Sequence, residues 1–141
     1  MARIMAIDFG TKRTGLAVTD PLQIIANGLD TIATGEVLDF IEQYTQEEEV
    51  STFVVGEPMH LDGNPSQIAP QVNAFIQQLQ KRFPAIAVHR QDERFTSVEA
   101  KQIILKSGLK KKKRRDKALV DKVSAVLILQ DYLEKNRTAN S

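Results

Sequence analysis

The chain has 141 residues, a formal net charge of +1, no cysteine and 42% hydrophobic residues. This length fits one domain, which we place at residues 1–135, followed by a polar, frayed tail at 136–141. The absence of cysteine excludes disulfides, thiolate catalysis and cysteine-based zinc sites. Neither a secretory signal nor a run of roughly 18 apolar residues is found, so we expect a cytoplasmic protein with no membrane partner.

Strand patterns dominate the first third of the chain. Three strands joined by tight connections are predicted over residues 3–9, 16–19 and 23–32. Residues 10–15, which are rich in glycine and threonine, predict a hairpin loop between the first two strands. Asn27 and Gly28 interrupt the third pattern, and a glycine there indicates a bulge or an edge strand.

The rest of the chain alternates between helical and strand periods. Helices are predicted over 35–48, from Pro65 to Pro84 with Asn64 as the cap, over 96–108 and over 118–134. Strands are predicted over 52–56 and 85–88, and a loop is predicted at 57–66. A meander followed by such alternation predicts an α/β fold. We expect a five-stranded mixed β-sheet, a three-stranded antiparallel meander followed by β-α alternation, flanked by helices.

Asp8 is the first candidate functional residue, because it ends an apolar strand and is soon followed by Gly10. A carboxylate at a strand end is a common position for a catalytic or metal-binding group, although an aspartate that only forms a turn has the same local sequence. A tight hairpin after it can bring backbone N–H groups, and the side chains of Thr11, Lys12 and Arg13, close to a phosphate.

Further carboxylates occur at two other places. Asp92-Glu93-Arg94 follows the strand at 85–88, where a surface charge cluster is the alternative, and Asp121 lies in the first turn of the last helix, where it also suits the helix dipole. Carboxylates from two strand ends and a helix could converge on one cleft. There they would bind one or two Mg²⁺ or Mn²⁺ ions, which suit phosphodiester hydrolysis.

The basic residues concentrate in one segment just before Asp121. This basic segment holds seven positive charges among eight residues: Lys110, Lys111, Lys112, Lys113, Arg114, Arg115 and Lys117. A solvated charge run is the alternative, but its position favours contact with nucleic-acid phosphates near the reaction centre. Aromatic residues are few, so base stacking is expected to be a minor term.

Four motifs in the same order resemble those of the YqgF (RuvX) family of bacterial RNase H-like nucleases. They are Asp8 to Ala17, Val55-Gly56-x-Pro58 with Asp62-Gly63, Asp92 to Ser97, and Asp121 to Leu129, within a match over residues 3–133. The chain departs from the usual family pattern at Phe95, where leucine is usual, and at Ser124, where alanine is common. Neither departure touches an acidic residue.

The resemblance implies an RNase H-like fold and an acidic triad at Asp8, Glu93 and Asp121, which would also be the metal ligands. Arg94 would be a nucleic-acid contact beside the triad. The family is described as nucleases that mature the 5′ end of pre-16S rRNA, and was earlier described as Holliday junction resolvases. The resemblance therefore implies a nucleic-acid partner, with pre-rRNA favoured over branched DNA, and a pre-ribosomal particle as a further partner.

Several functions remain open on sequence grounds. The first is a metal-dependent nuclease on structured nucleic acid, as a monomer or homodimer; a resolvase would need a dimer with two symmetrically placed sites. A nucleotide-binding or kinase-like domain could use a similar hairpin, but such folds close two domains around ATP and 141 residues supply one. A non-catalytic RNA-binding assembly factor is the third possibility.

Overall fold

The computed structural model describes residues 2–57, 68–92 and 117–139. Its elements are β1 (Arg3–Asp8), β2 (Arg13–Thr19), β3 (Ala26–Ala33), a 3-10 turn (Thr34–Glu36), α1 (Val37–Glu47), β4 (Val50–Glu57), α2 (Ala69–Arg82), β5 (Ala87–Asp92) and α3 (Lys117–Ala139). The predicted helix at 96–108 and nearly all of the predicted loop at 57–66 lie outside the described residues. No helix in the described ranges has the length and hydropathy that a bilayer crossing requires.

The strands form one five-stranded sheet in the order β3-β2-β1-β4-β5. β1 pairs antiparallel with β2, and β2 antiparallel with β3, whereas β1–β4 and β4–β5 are parallel pairs. β4 lies inside the sheet, and its residues Phe53, Val54 and Val55 are fully buried, as a continuous apolar run predicts. The predicted mixed sheet, a meander followed by alternation, is confirmed.

Alternate side chains of β1 belong to the cores on opposite faces of the sheet. Met5 and Ile7 pack in the core beneath α1 and α2, whereas Ile4 and Ala6 pack in the core beneath α3. Since successive strand residues point to opposite faces, Asp8 continues the row of Ile4 and Ala6. The candidate catalytic carboxylate therefore lies on the α3 face, at the end of β1.

β2 begins earlier than predicted, at Arg13 instead of residue 16, so the hairpin loop is shorter than 10–15. The reason is cross-strand pairing that local composition does not reveal. Gly15 pairs with Asp8 on one side and with Thr31 on the other, so its backbone belongs to the sheet. Pairing with two neighbours outweighs the weak strand propensity of glycine.

β3 begins later than predicted, at Ala26 instead of residue 23, because Asp20 closes a loop before it. The Asp20 carboxylate accepts N–H bonds from Leu22 at 3.2 Å, Ile24 at 2.8 Å and Ile25 at 2.7 Å. These bonds, that of Ile25 most of all, lower the pKa of the Asp20 carboxyl. N–H groups held by a carboxylate cannot join a strand ladder, so the chain pairs only after this loop.

Gly28 marks both a bulge and an edge strand, as the sequence predicted. Leu16 pairs with Asp30 but Ala17 pairs with Gly28, so β3 carries one extra residue, and β3 lies at the sheet edge. A Cβ atom at Gly28 would lie 2.7 Å from Cε of Lys122. The missing side chain thus lets Lys122 of α3 pass close over the edge strand.

The predicted start of α2 at Pro65, with Asn64 as its cap, falls on residues outside those that the structure describes. The helix begins at Ala69 with Ile68 as its N-cap, and Pro70 occupies the first turn. A helix that began at Pro65 would carry Pro70 in its interior, where proline removes a hydrogen bond and clashes with the preceding turn. Pro70 in the first turn costs nothing, because the N–H it lacks has no partner there.

β5 and α3 both extend further than predicted. β5 spans Ala87–Asp92 instead of 85–88, because its polar second half pairs with β4 as far as Glu57. α3 ends at Ala139 instead of residue 134. The longer β5 carries the strand to the residue directly before Glu93.

Candidate active site

Asp8 lies half-buried at the carboxyl end of β1, between two strands that carry glycine beside it. Gly15 of β2 pairs directly with Asp8. On the other side Ile7 pairs with Val55, and the next residue of β4 is Gly56. Since neither glycine has a side chain, neither neighbouring strand places a Cβ atom beside Asp8 on the α3 face.

Gly15, Asp8 and Gly56 form a row across three neighbouring strands, and Gln91 extends this row into β5. It pairs with Gly56 and is 6% exposed, so the row across the sheet places a buried amide near the acidic end of β1. An amide can both donate and accept hydrogen bonds, and buried amides are normally bonded. Sequence reasoning missed Gln91 because the predicted strand stopped at residue 88. The signal was its spacing of two residues from Glu93.

The packing of α3 directs its N-terminus toward Asp8. Leu133 lines a groove with Ala26, at the start of β3, whereas the Lys122 side chain lies against Gly28, further along that strand. β3 continues from Gly28 to Thr31, level with Gly15 and its partner Asp8. The N-terminal end of α3 therefore lies at the end of the sheet where β1 ends.

The helical position of Asp121 follows from the same packing. Ala125 is fully buried in the core that contains Ala6, and residue 121 lies one turn earlier on the same helix face. Position 121 precedes Ala125 by one helical turn, and Asp8 follows Ala6 by two strand residues. Both steps lead toward the same end of the sheet. Two of the three predicted acidic positions consequently lie at one end of the sheet and on one face.

The remaining predicted site residues are outside what the structure describes in full. Glu93 and Arg94 follow β5 directly but are not described, and for Asp121 and Lys117 the structure describes only the backbone position in α3. The rest of the basic segment also lies outside the described residues: Lys110, Lys111, Lys112, Lys113, Arg114 and Arg115. Among the residues that are described, no three acidic or histidine residues form a group able to hold a metal ion.

The hairpin after Asp8 is held by hydroxyl groups. The Thr34 hydroxyl donates to the Gly10 carbonyl oxygen at 2.6 Å, and the Thr34 and Thr14 hydroxyls lie 2.9 Å apart. Because Thr34 has a single hydroxyl hydrogen, Thr14 must be the donor in the second bond. The Thr34 N–H also donates to the Lys12 carbonyl oxygen at 3.0 Å.

Thr11, Lys12 and Arg13 are all exposed on this anchored hairpin. Because the loop is anchored, these exposed side chains are held at the end of the sheet where β1 ends at little further entropic cost. The hairpin thus supplies positive charge at the same end of the sheet as the acidic positions.

This sheet order, with a carboxylate ending the first strand and a helix packed across it, defines an α/β fold of the RNase H-like class. A solved structure of RuvC from T. thermophilus, described as in complex with Holliday junction substrate, matches with a TM-score of 0.60, 17% identity and coverage of 97% of this chain and 96% of that chain. At that identity the likeness shows a shared fold, and the predicted fold class is confirmed.

Sequence comparison gives the family. Residues 2–135 match the family model described as "RuvX: Holliday junction resolvase". A protein of Christiangramia forsetii named "Putative pre-16S rRNA nuclease" is 53% identical over 133 residues, covering 94% of this chain and 98% of the relative. A protein of the same name from Phocaeicola vulgatus is 53% identical over 137 residues, covering 97% and 99%. The chain belongs to the RuvX family, as the four motifs indicated.

The hairpin geometry predicts opposite outcomes for two glycine substitutions. A Cβ at Gly10 would lie far inside the van der Waals distance of the Arg13 carbonyl oxygen, whereas a Cβ at Gly35 would meet nothing within 4 Å. We expect Gly10→Ala to lower the free energy of unfolding by about 1–3 kcal/mol, as overpacking does. Gly35→Ala should leave it within about 0.5 kcal/mol of the wild type. Equal stability of the two variants in chemical denaturation would contradict this account of the hairpin.

Proposed function

We propose that this protein is a metal-dependent nuclease that hydrolyses phosphodiester bonds of structured RNA, and that it trims the 5′ end of pre-16S rRNA within a pre-ribosomal particle. The observation that carries the proposal is the placement of Asp8 and position 121 on one face at one end of an RNase H-like sheet. Membership of the RuvX family, with relatives of about half identity named as pre-16S rRNA nucleases, supports the substrate.

The proposed metal ligands are Asp8, Glu93 and Asp121, holding Mg²⁺ or Mn²⁺. The donor chemistry fits, because hard divalent cations prefer carboxylate oxygens and the glycines beside Asp8 leave room for an ion and its waters. When bound, such an ion supplies an activated water and neutralises charge that develops on the phosphate. Gln91, buried in the same row as Asp8, would orient one of these groups by a hydrogen bond.

The cationic residues would bind and orient the substrate. Lys12 and Arg13 lie exposed on the hairpin beside Asp8, so their charges can neutralise the phosphate at which the bond is cut. Arg94 and the basic segment, which includes Lys117 in the first turn of α3, would hold neighbouring phosphates. Hydrolysis then needs no nucleophilic side chain, since water attacks the phosphorus while the sugar oxygen leaves.

A Holliday junction resolvase is the second candidate, favoured by the description of the family model and by the fold shared with RuvC. The same carboxylates could cut a DNA backbone. The two functions differ in symmetry: a resolvase makes paired cuts and needs two sites in a dimer, whereas trimming one RNA strand needs a single site.

The first test removes one negative charge at the proposed metal site. We expect Asp8→Asn to abolish Mg²⁺- or Mn²⁺-dependent cleavage of a pre-16S rRNA leader while its circular dichroism and unfolding midpoint stay near those of the wild type. Asp30→Asn is the matched control, because Asp30 is exposed on β3 and its Oδ1 accepts a local N–H bond from Thr31 at 2.7 Å. A four-way DNA junction is assayed in parallel.

Cleavage by Asp8→Asn at the wild-type rate would contradict the metal site. Paired cuts in the junction together with an intact RNA leader would favour the resolvase. Binding of the leader without cleavage by the wild type would point to the assembly factor.

The second test concerns the basic segment. We expect replacement of Lys111, Lys112, Arg114 and Arg115 by alanine to weaken RNA binding and to flatten its salt dependence. The slope of log K against log[salt] should fall in magnitude by about 0.7–0.9 for each phosphate that the variant no longer neutralises. Lys81→Ala, an exposed cation near the end of α2, is the control and should leave the slope unchanged. An unchanged slope in the fourfold variant would show that the basic segment is only solvated surface.

A further inference from the structure

A second feature lies at the same end of the sheet as Asp8 but on the opposite face. It is a cavity of about 310 Å³ between the first turns of α1, the α2 helix and the residue after β1. Phe9 and Phe75 form its aromatic wall, with ring centroids 5.0 Å apart and planes inclined by 39°. Phe75 is 5% exposed and lies behind the ring of Phe9, which is partly exposed and forms the accessible aromatic surface of the cavity.

The cavity is continuous with the hairpin that carries the cationic side chains. Thr34 lines it and also donates its N–H to Lys12 and its hydroxyl hydrogen to Gly10. Phe9, which lines it as well, is the residue directly after Asp8. The cavity and the proposed cleavage site therefore lie at the same end of the sheet, on opposite faces of β1.

The lining has the chemistry of a site for a neutral, planar group. None of its described lining residues is charged, which disfavours a phosphate or a free ion. Gln71 and Gln78 lie two turns apart on the exposed face of α2 and bring two amides to the rim. Each amide offers both a donor and an acceptor, as the edge of a nucleobase requires.

The cavity walls are held in place in the described fold. At the far end of α2 the Arg82 guanidinium contacts Asp39 at 2.6 Å and Glu42 at 2.5 Å, both on α1. Such exposed pairs add little stability, but they fix the spacing of the two helices that form the walls. A cavity of about 300 Å³ that exists before binding is at the lower end of the size range of small-molecule sites.

We infer that this cavity binds one unpaired nucleobase of the RNA substrate, next to the phosphate that is cut. The base stacks on Phe9, whose ring Phe75 supports from behind, and its edge meets the amides of Gln71 and Gln78. The inference rests on the proposed function and adds to it a requirement for a single-stranded nucleotide at the cleavage site. It also revises the expectation that stacking is a minor term, because folding brings together two of the few aromatic residues.

The test measures the affinity of the protein for a short single-stranded RNA from the pre-16S leader. The same measurement is made for a series of versions of this RNA, each of which lacks one base. Binding is followed by fluorescence anisotropy with a metal chelator present, so that no cleavage occurs. We expect the wild type to bind about tenfold more weakly when one particular base is absent, and nearly as well when most others are absent.

The cavity is then filled without disturbing the core. Ala74 lines it and is exposed on α2, so Ala74→Trp should fold normally, bind the intact RNA about tenfold more weakly and show no dependence on that base. Gln77→Trp is the matched control, because Gln77 is exposed on the same helix but does not line the cavity. It should bind as the wild type does.

Two outcomes would overturn the inference: affinity that does not depend on any single base in the wild type, or dependence that persists in Ala74→Trp. Gln78→Ala, compared with Gln80→Ala, gives a second and milder check on the rim amides. The proposed function fails separately. If the wild type cleaves no RNA but its affinity depends on one base, base binding in the cavity is supported and the nuclease function is refuted. If Asp8→Asn stops cleavage but the affinity of the wild type depends on no single base, the nuclease function is supported and base binding in the cavity is refuted.

Discussion

The close packing of α3 on the sheet is the interaction on which the rest of the site depends. Ala6 and Ala17 of the sheet and Ala125 of the helix are all fully buried in one core, and residues this small let a helix approach a sheet closely. This packing fixes both the distance of α3 from the sheet and the rotation of α3 about its axis. The position of residue 121 at the end of the sheet where β1 ends therefore depends on the small volume of these three side chains.

The sheet divides two tasks between its faces while keeping them at one end. On the α3 face, Asp8 lies between glycines with buried Gln91 in the same row, which suits hydrolysis. On the other face, the cavity beside Phe9 suits recognition of a base. The hairpin that Thr34 anchors lies between the two, and the alternation of side chains along β1 explains how adjacent residues serve opposite faces. In the proposed function, cutting and base recognition would therefore be linked through the end of one strand, β1.

Much of the fold could be predicted from the sequence, because strand alternation and helical spacing are local signals. The mixed sheet and the bulge at Gly28 are examples. The start of α2 was harder to predict, because Pro65 and Pro70 both suit the first turn of a helix, and the described helix has Pro70 there. Asp8 could be chosen from its position at a strand end, but the cavity could not be foreseen. It depends on contact between Phe9 and Phe75, which are distant in the chain and follow no local pattern.

The central claim is that Asp8 and Asp121 hold the same metal ion, and Mn²⁺ binding tests it most directly. Titration of the full chain with Mn²⁺, followed by electron paramagnetic resonance in the absence of RNA, gives the affinity. The account predicts that Asp8→Asn and Asp121→Asn each weaken binding by at least about tenfold, that the double variant is little weaker than either, and that Asp30→Asn binds as the wild type does. Wild-type affinity in Asp121→Asn would contradict the account, because α3 would then not bring its carboxylate to the ion.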